Sequence, residues 1–481
     1  MLTLLGSPRR CCDNVTRRET LKAGALSALG GFGLPQWLAA AESGKLREGK
    51  AKSVILLYLL GGAATQDMFD LKPDAPAEVR SLFKPIATTA SGIEVCEHLP
   101  QTASWMHKAA IVRTVNHKAG CHNTLPSYTG HEVMLPDITN TNDNYPPSMG
   151  SVCEYLRVAG GGDSLGLPDY VYMPCYLGWG QNIRRPGPYG GFLGKRFDAL
   201  TTECEPYKAE GTPDVQPGLP QTVLGVPRLA DSKLPAEVTL DRLHARRDLL
   251  DQFDDEVRRI DRSPGVESFN RQQLRAFEIL TNSDVKSAFD FDAEDPKTVD
   301  RYGRTLFGQS TLIGRRMVER GVRFVNVTWD LFWDRVKVDY DAWDTHTKNF
   351  PILKDNKLPG FDQTYSALLA DLDARGMLDE TLVVVMSEMG RTPRINGNGG
   401  RDHWTQCYSV VFAGGGIRGG TVYGESDAQA AYVKDRPVST ADICATIYEC
   451  LGIPAETRVP DRTGRPVEIS HGGNPIRDIM V

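Results

Sequence analysis

The sequence predicts an α/β fold in which a mostly parallel sheet is covered by helices. Three observations carry that expectation: uninterrupted apolar runs of strand length, helical periodicity between them, and glycines where the first run stops. The first run, 54–60, closes on Gly61-Gly62. With no polar alternation, it reads as a strand buried on both faces. Further strands are predicted at 111–115, 323–328, 381–386 and 409–413. A helix is expected over 311–320, carrying Leu312, Ile313, Met317 and Val318, and another over 361–375, carrying Tyr365, Leu368, Leu369 and Leu372. Residues 155–300 or thereabouts break this rhythm. Up to 235 they are rich in Gly, Pro and aromatics and read as loops, and 240–260 reads as a charged helix with one apolar face. One domain over 42–481, with an insertion at about 155–300, is the resulting expectation.

The chain has 481 residues, 41% of them hydrophobic and 24% charged, a composition that excludes disordered, collagen-like and polytopic membrane proteins. A formal charge of −6 without a basic block gives no electrostatic case for nucleic acid. Near the start, Arg17-Arg18 precedes a weakly apolar run ending in Ala39-Ala40-Ala41. This is the order of a twin-arginine export signal, over residues 1–41. Gly24, Gly30, Gly31, Gly33 and Pro35 interrupt the run, whereas a membrane anchor needs about 20 solidly apolar residues. Thr20 departs from the bulky apolar residue usual in such signals. No later stretch is apolar enough to span a bilayer, so the expected location is periplasmic or extracellular. Eight of the ten cysteines lie after this segment, none in a C-x-x-C spacing. Most are expected as buried small apolar residues, with one or two disulfides whose pairing is not readable.

In open parallel sheets ligands bind outside the carboxyl ends of the strands, so the residues just after each run carry the functional signal. After the first come Asp67 and Asp70; Asp70 reads chiefly as a turn residue ahead of Pro73. The second is followed by Asn116 to Asn123, with Cys121, His122 and, just beyond, Thr124. Beyond the third lie Trp343-Asp344-Thr345-His346, and beyond the fourth Glu388, Arg391 and Asp402-His403-Trp404. Mixed Asp, Glu and His donors suit a hydrolytic divalent metal such as zinc, calcium or manganese, and an arginine beside them suits an anion. Cys121 and Thr124 are both candidates for a nucleophile. Trp343 and Trp404 read as core aromatics.

Several of these stretches also carry a resemblance. Asp67-Met68-Phe69-Asp70, Lys72-Pro73-Asp74, Glu97-His98-Leu99-Pro100, Pro147-Ser148-Met149-Gly150-Ser151, Phe307-Gly308-Gln309-Ser310, Trp343-Asp344-Thr345-His346, Glu388-Met389-Gly390-Arg391-Thr392-Pro393 and Gly400-Arg401-Asp402-His403-Trp404 resemble, in order, the domain-of-unknown-function family 1501. Members are similar to the alkaline phosphatase and sulfatase superfamily. That similarity implies a three-layer α/β/α sandwich and a site with one or two metal ions. Carried over, it implies Asp67, Asp344, His346, Glu388 and His403 as metal ligands; with them, His122 is read as a catalytic group helping to hold the leaving group or the metal, and Arg391 as one steadying the anion. Met389 stands where that superfamily has a histidine ligand, and the sulfatase pattern Cys-x-Pro-Ser-Arg is absent. The implied function is an exported metal-dependent hydrolase acting on a phosphate or sulfate ester. The alternative is a non-catalytic protein on the same fold that binds sulfated or phosphorylated polymers.

Overall fold

The computed structural model describes residues 48–134, 139, 144–161, 168–212, 218–229, 283–339 and 341–481. The expected export signal at 1–41 and the expected charged helix at 240–260 lie outside the described residues.

The nine strands of the main sheet are β1 (Ser53–Leu59), β2 (Ala109–Asn116), β3 (Tyr170–Met173), β4 (Leu200–Thr201), β5 (Phe324–Trp329), β6 (Thr381–Met386), β7 (Tyr408–Gly414), β8 (Thr421–Tyr423) and β9 (Val438–Ser439). They run in the order β8-β2-β7-β6-β1-β5-β3-β4, with β9 added beside β2. All pairs are parallel except those of β7, which is antiparallel to both β2 and β6. Every residue of β1, β5 and β6 is buried, as expected of apolar runs covered on both faces. All five predicted strands form. The stretch expected as an insertion contributes two more: β3 is only four residues long and β4 two, too short for a periodic signal among the surrounding Gly and Pro.

Among the described residues, four helices have eleven or more residues: α1 (Met149–Ala159), α2 (Leu306–Glu319), α3 (Leu358–Ala374) and α4 (Thr440–Cys450). Ser148, Thr305 and Ser439 cap α1, α2 and α4 by accepting from backbone N–H groups of the first turn. Alternation along the strands assigns the helices to opposite faces. Gly314 of α2 lies against Val325 and Val327, and Gly360 of α3 against Trp329. On the other face Gly150 of α1 lies on the Tyr170 ring, and Tyr170 packs edge-on against Phe324. The helical turn Leu125–Thr129 covers that same face through Tyr128, whose ring meets Tyr58 and Tyr172. Helix α4 backs it where Gly130 meets Cys444. The result is a three-layer α/β/α arrangement. Among the described residues no helix is long and apolar enough to cross a membrane.

The eight cysteines among the described residues are all free, seven buried and Cys121 exposed. The expected burial is therefore seen, and the expected disulfides are not.

Candidate metal centre

Strands β1, β2, β5 and β6 end at one edge of the sheet, and their following loops converge there. The two glycines after β1 are required by that convergence. Gly61 and Gly62 have φ of 114° and 83°, and a Cβ on Gly61 would stand 2.6 Å from the Asp344 backbone nitrogen. The loop after β5 is pinned from below: Asp339 accepts from Trp329 Nε1 at 2.7 Å, from the Ala342 N–H at 3.0 Å and from Lys357. The Arg401 N–H donates to the Thr345 carbonyl at 3.0 Å, tying the 400–404 segment to the same loop. Two short strands, Gly390–Arg391 and His403–Trp404, then pair with His403 opposite Arg391. These contacts bring His403 and Asp344 together.

Asp344 is the centre of the cluster. Its Oδ1 lies 3.0 Å from His346 Nε2 and 3.1 Å from His403 Nε2, its Oδ2 3.2 Å from His122 Nε2, and Arg391 also donates to Oδ1. The two ring nitrogens of His346 and His403 face each other at 2.8 Å. His122, Asp344 and His403 each offer an atom within 4.8 Å of the others, a grouping that could hold a metal ion. Two of the imidazoles are backed by a carboxylate on their far nitrogen. His122 Nδ1 is 3.3 Å from Glu388 Oε1, and His346 Nδ1 is 2.7 Å from Asp402 Oδ1. Such a carboxylate fixes the tautomer that leaves Nε2 free as a ligand.

The protonation behaviour follows from these contacts. Burial pulls Asp344 toward the neutral form, but hydrogen bonds from His122, His346 and His403 and the Arg391 charge outweigh it, so its carboxyl titrates far below the usual range. Burial likewise opposes charge on Glu388 and His122. Their mutual contact wins, lowering the one and, with Asp344, raising the other. His346 is raised by Asp344 against a smaller burial effect. For His403 burial dominates, and the ring is pushed down.

The structure therefore places His122, Asp344, His346, His403, Glu388 and Arg391 in one cluster, and leaves Asp67 out of it. Asp67 is fully buried and clamped by Arg401, whose Nε and Nη2 donate to its two oxygens at 2.8 Å each, while Asn349 donates at 2.9 Å. Three of that carboxylate's roughly four acceptor positions are taken by these donors, and it stands outside the His122, Asp344 and His403 grouping. Glu388 is placed as the group behind His122 rather than as a ligand: its oxygens also accept from the Gly61 N–H at 2.9 Å and the Ser387 hydroxyl at 3.1 Å. The Arg391 guanidinium is buried and donates to the carbonyls of Gly61, Gly62 and Arg401 as well as to Asp344, so it ties these loops together. Met389 is a fully buried side chain packed under Gly62.

Three further residues support the site without a sequence signal strong enough to single them out. Asp402 sits between Arg401 and His403 in the very motif already noted. His117 donates from Nε2 to the Glu388 carbonyl at 2.7 Å and accepts the Ala119 N–H on Nδ1 at 3.3 Å, and burial holds it neutral. Arg185, from the loop-rich stretch, donates to the His122 carbonyl at 3.2 Å. Neither nucleophile candidate is activated. Thr124 spends its hydroxyl on the Pro186 carbonyl, and burial pushes the Cys121 thiol up.

A family profile described as a protein of unknown function, DUF1501, matches residues 51–480. The chain belongs to that family. A search of curated proteins gave no significant match. Among solved structures, this DUF1501 chain is similar to the PsFucS1 sulfatase from Pseudoalteromonas sp., at 12% identity over 95% of this chain and 77% of that one, with a TM-score of 0.38. It is also similar to the phosphonate monoester hydrolase SpPMH from Silicibacter pomeroyi, at 11% identity over 88% and 76%, TM-score 0.35. A protein in the alkaline phosphatase superfamily from Vibrio parahaemolyticus gives 10% identity over 91% and 76%, TM-score 0.34.

Proposed function

We propose that this protein is an exported metal-dependent hydrolase of a phosphate or sulfate ester, working through one divalent ion held by His122, Asp344, His346 and His403. The observation that carries the reading is the convergence of three imidazole Nε2 atoms on one carboxylate, two of those rings backed by Glu388 and Asp402. Three nitrogens and one oxygen match a zinc-class ion better than calcium, which takes oxygen ligands almost exclusively. The ester class comes from the resemblance of the DUF1501 family to the alkaline phosphatase and sulfatase superfamily, and the location from the twin-arginine segment.

A divalent ion bound there supplies a Lewis acid for the ester oxygen and a means of activating water. The chain's own groups do the rest. Glu388 and Asp402 hold the His122 and His346 rings with Nε2 facing inward. Arg391 balances the Asp344 charge and keeps the Gly61-Gly62 turn against it. With Thr124 committed and the Cys121 thiol held protonated, the attacking group is water rather than a side chain. His346, the most exposed of the three imidazoles, faces solvent at the point where an ester would enter.

The same absence of an activated nucleophile favours the second reading, a binding protein for anionic polymers that holds a metal without turnover. Metal analysis of the purified chain, joined to turnover of aryl phosphate and aryl sulfate, separates the two. Stoichiometric metal with turnover lost in His346→Ala is expected for the enzyme. Metal without turnover supports the binder, and no metal at all overturns both.

A further inference from the structure

We propose that Cys175 and Cys204 are a disulfide-forming pair, joined when the chain meets a small-molecule disulfide oxidant. The argument starts from strand register. Strands β3 and β4 pair in parallel with Val171 opposite Leu200 and Tyr172 opposite Thr201. Past the strand ends the two segments stay together: the Thr202 N–H donates to the Tyr172 carbonyl at 3.2 Å, and the Thr202 hydroxyl to the Pro174 carbonyl at 2.7 Å. Just beyond these bonds the two segments reach Cys175 and Cys204, which enter the same small apolar cluster.

The side chains agree with the backbone. Both cysteines belong to one small apolar cluster with Val223, Leu306, Phe332 and Val338, separate from the main core. Burial, and then the neighbouring Cys204, hold the Cys175 thiol protonated. Three of the other buried cysteines meet partners of a different kind. Cys407 donates to the Arg113 carbonyl at 3.3 Å, Cys96 accepts the His98 N–H at 3.5 Å, and Cys444 packs against Gly130.

The chemistry balances with one equivalent of oxidised glutathione. One cysteine thiolate attacks a glutathione sulfur, forming a mixed disulfide and releasing one glutathione. The second cysteine then attacks the protein sulfur of that mixed disulfide, the Cys175–Cys204 bond forms, and the second glutathione leaves. Two electrons pass from the protein to the oxidant, and the two thiol protons end on the two released glutathiones. Cys204 is 6% exposed and Cys175 1%, so Cys204 is the sulfur reached first.

The bond would close a loop that contains Gly178, whose N–H donates to Asp330 at 3.3 Å, and Arg185, which donates to the His122 carbonyl. It would therefore fasten the segment that supports the metal centre from behind. This inference does not depend on the site being catalytic.

The test is thiol counting and peptide mapping on the full chain, both as purified from an oxidising compartment and after refolding from denaturant in a glutathione redox buffer. The expected result is the loss of two alkylatable thiols and a linked peptide pair containing Cys175 and Cys204. Either single variant, Cys175→Ser or Cys204→Ser, should abolish that link, and Cys96→Ser should keep it. Oxidised wild type should melt about 4 °C above its reduced form, a gap the Cys175→Ser/Cys204→Ser double variant lacks. Full alkylation after both routes, or a link joining other cysteines, would overturn the proposal.

Discussion

Two carboxylates at the same edge of the sheet, Asp67 and Asp344, have opposite fates. Each follows an apolar strand and each has an arginine as partner. Asp67 meets the fork of Arg401 with both oxygens and is sealed from solvent. Asp344 meets one guanidinium N–H and three imidazoles, and its side chain keeps 15% exposure. A guanidinium never gives up its proton near neutrality, so the Asp67 pair is a permanent clamp. Imidazoles do release theirs, so the Asp344 cluster can exchange protons for a cation. The identity of the facing base, more than the acid, separates a brace from a site.

Substitutions at the two acids test that contrast most severely. Asp67→Asn leaves Arg401 as a buried unpaired charge and should cost about 3–5 kcal/mol of stability. The folded fraction should nevertheless keep its full metal content, as read by denaturant unfolding and metal analysis. Asp344→Ala should do the reverse: it should lose the metal and cut turnover by about 10²- to 10³-fold, with the smaller change in unfolding midpoint. Equal metal loss in both variants would erase the distinction drawn here.

A third acid, Asp330, sharpens the comparison because it is buried without a full ionic partner. Burial pushes its carboxyl up to about 6 against backbone N–H groups of Leu331 and Gly178 that pull it down. The folded chain then holds a proton between about pH 4 and 6 that the unfolded chain releases, so this group's contribution to stability falls as pH rises through that window. Asp330→Asn should therefore gain on wild type as pH is raised from 4 to 7, by at most about 3 kcal/mol. A thermal-midpoint difference that is flat with pH would show the group ionised throughout. Asp402→Asn should give the smallest effect, a 10- to 100-fold loss of metal affinity with little change in stability, because it acts only by orienting the half-exposed His346. Isothermal titration of the metal-free protein measures it.

Much of the fold was legible because burial on both faces leaves a plain trace in sequence. Strands β1, β5, β6 and β7 needed no polar alternation to solubilise a face, so their apolar runs stood out. Strands β3 and β4 left no such trace: two to four residues cannot show a period. For the site, the strand-end rule located His122, Asp344, His346, His403 and the Glu388–Arg391 turn. It could not say which atoms were already spoken for. Asp67 and Arg391 were candidates by position and by resemblance, and neither could reveal that the first faces Arg401 and the second backbone carbonyls and Asp344. Conversely, Asp402 and His117 lay in strand-end stretches that position did mark, but nothing local showed that they back other groups, and Arg185 lies in the loop-rich stretch that the rule does not reach.

Membership of the family and the order of strands along the chain are written in local residue patterns, because hydrophobic periodicity and glycine turns act over a few neighbours. Which acids stay available is decided only when segments hundreds of residues apart meet. Arg401 reaches Asp67, and His403 reaches Asp344, through one short segment that places residues two apart on different partners. Electrostatic satisfaction is a property of the assembled loops, so a carboxylate's freedom to bind is settled by its tertiary neighbours.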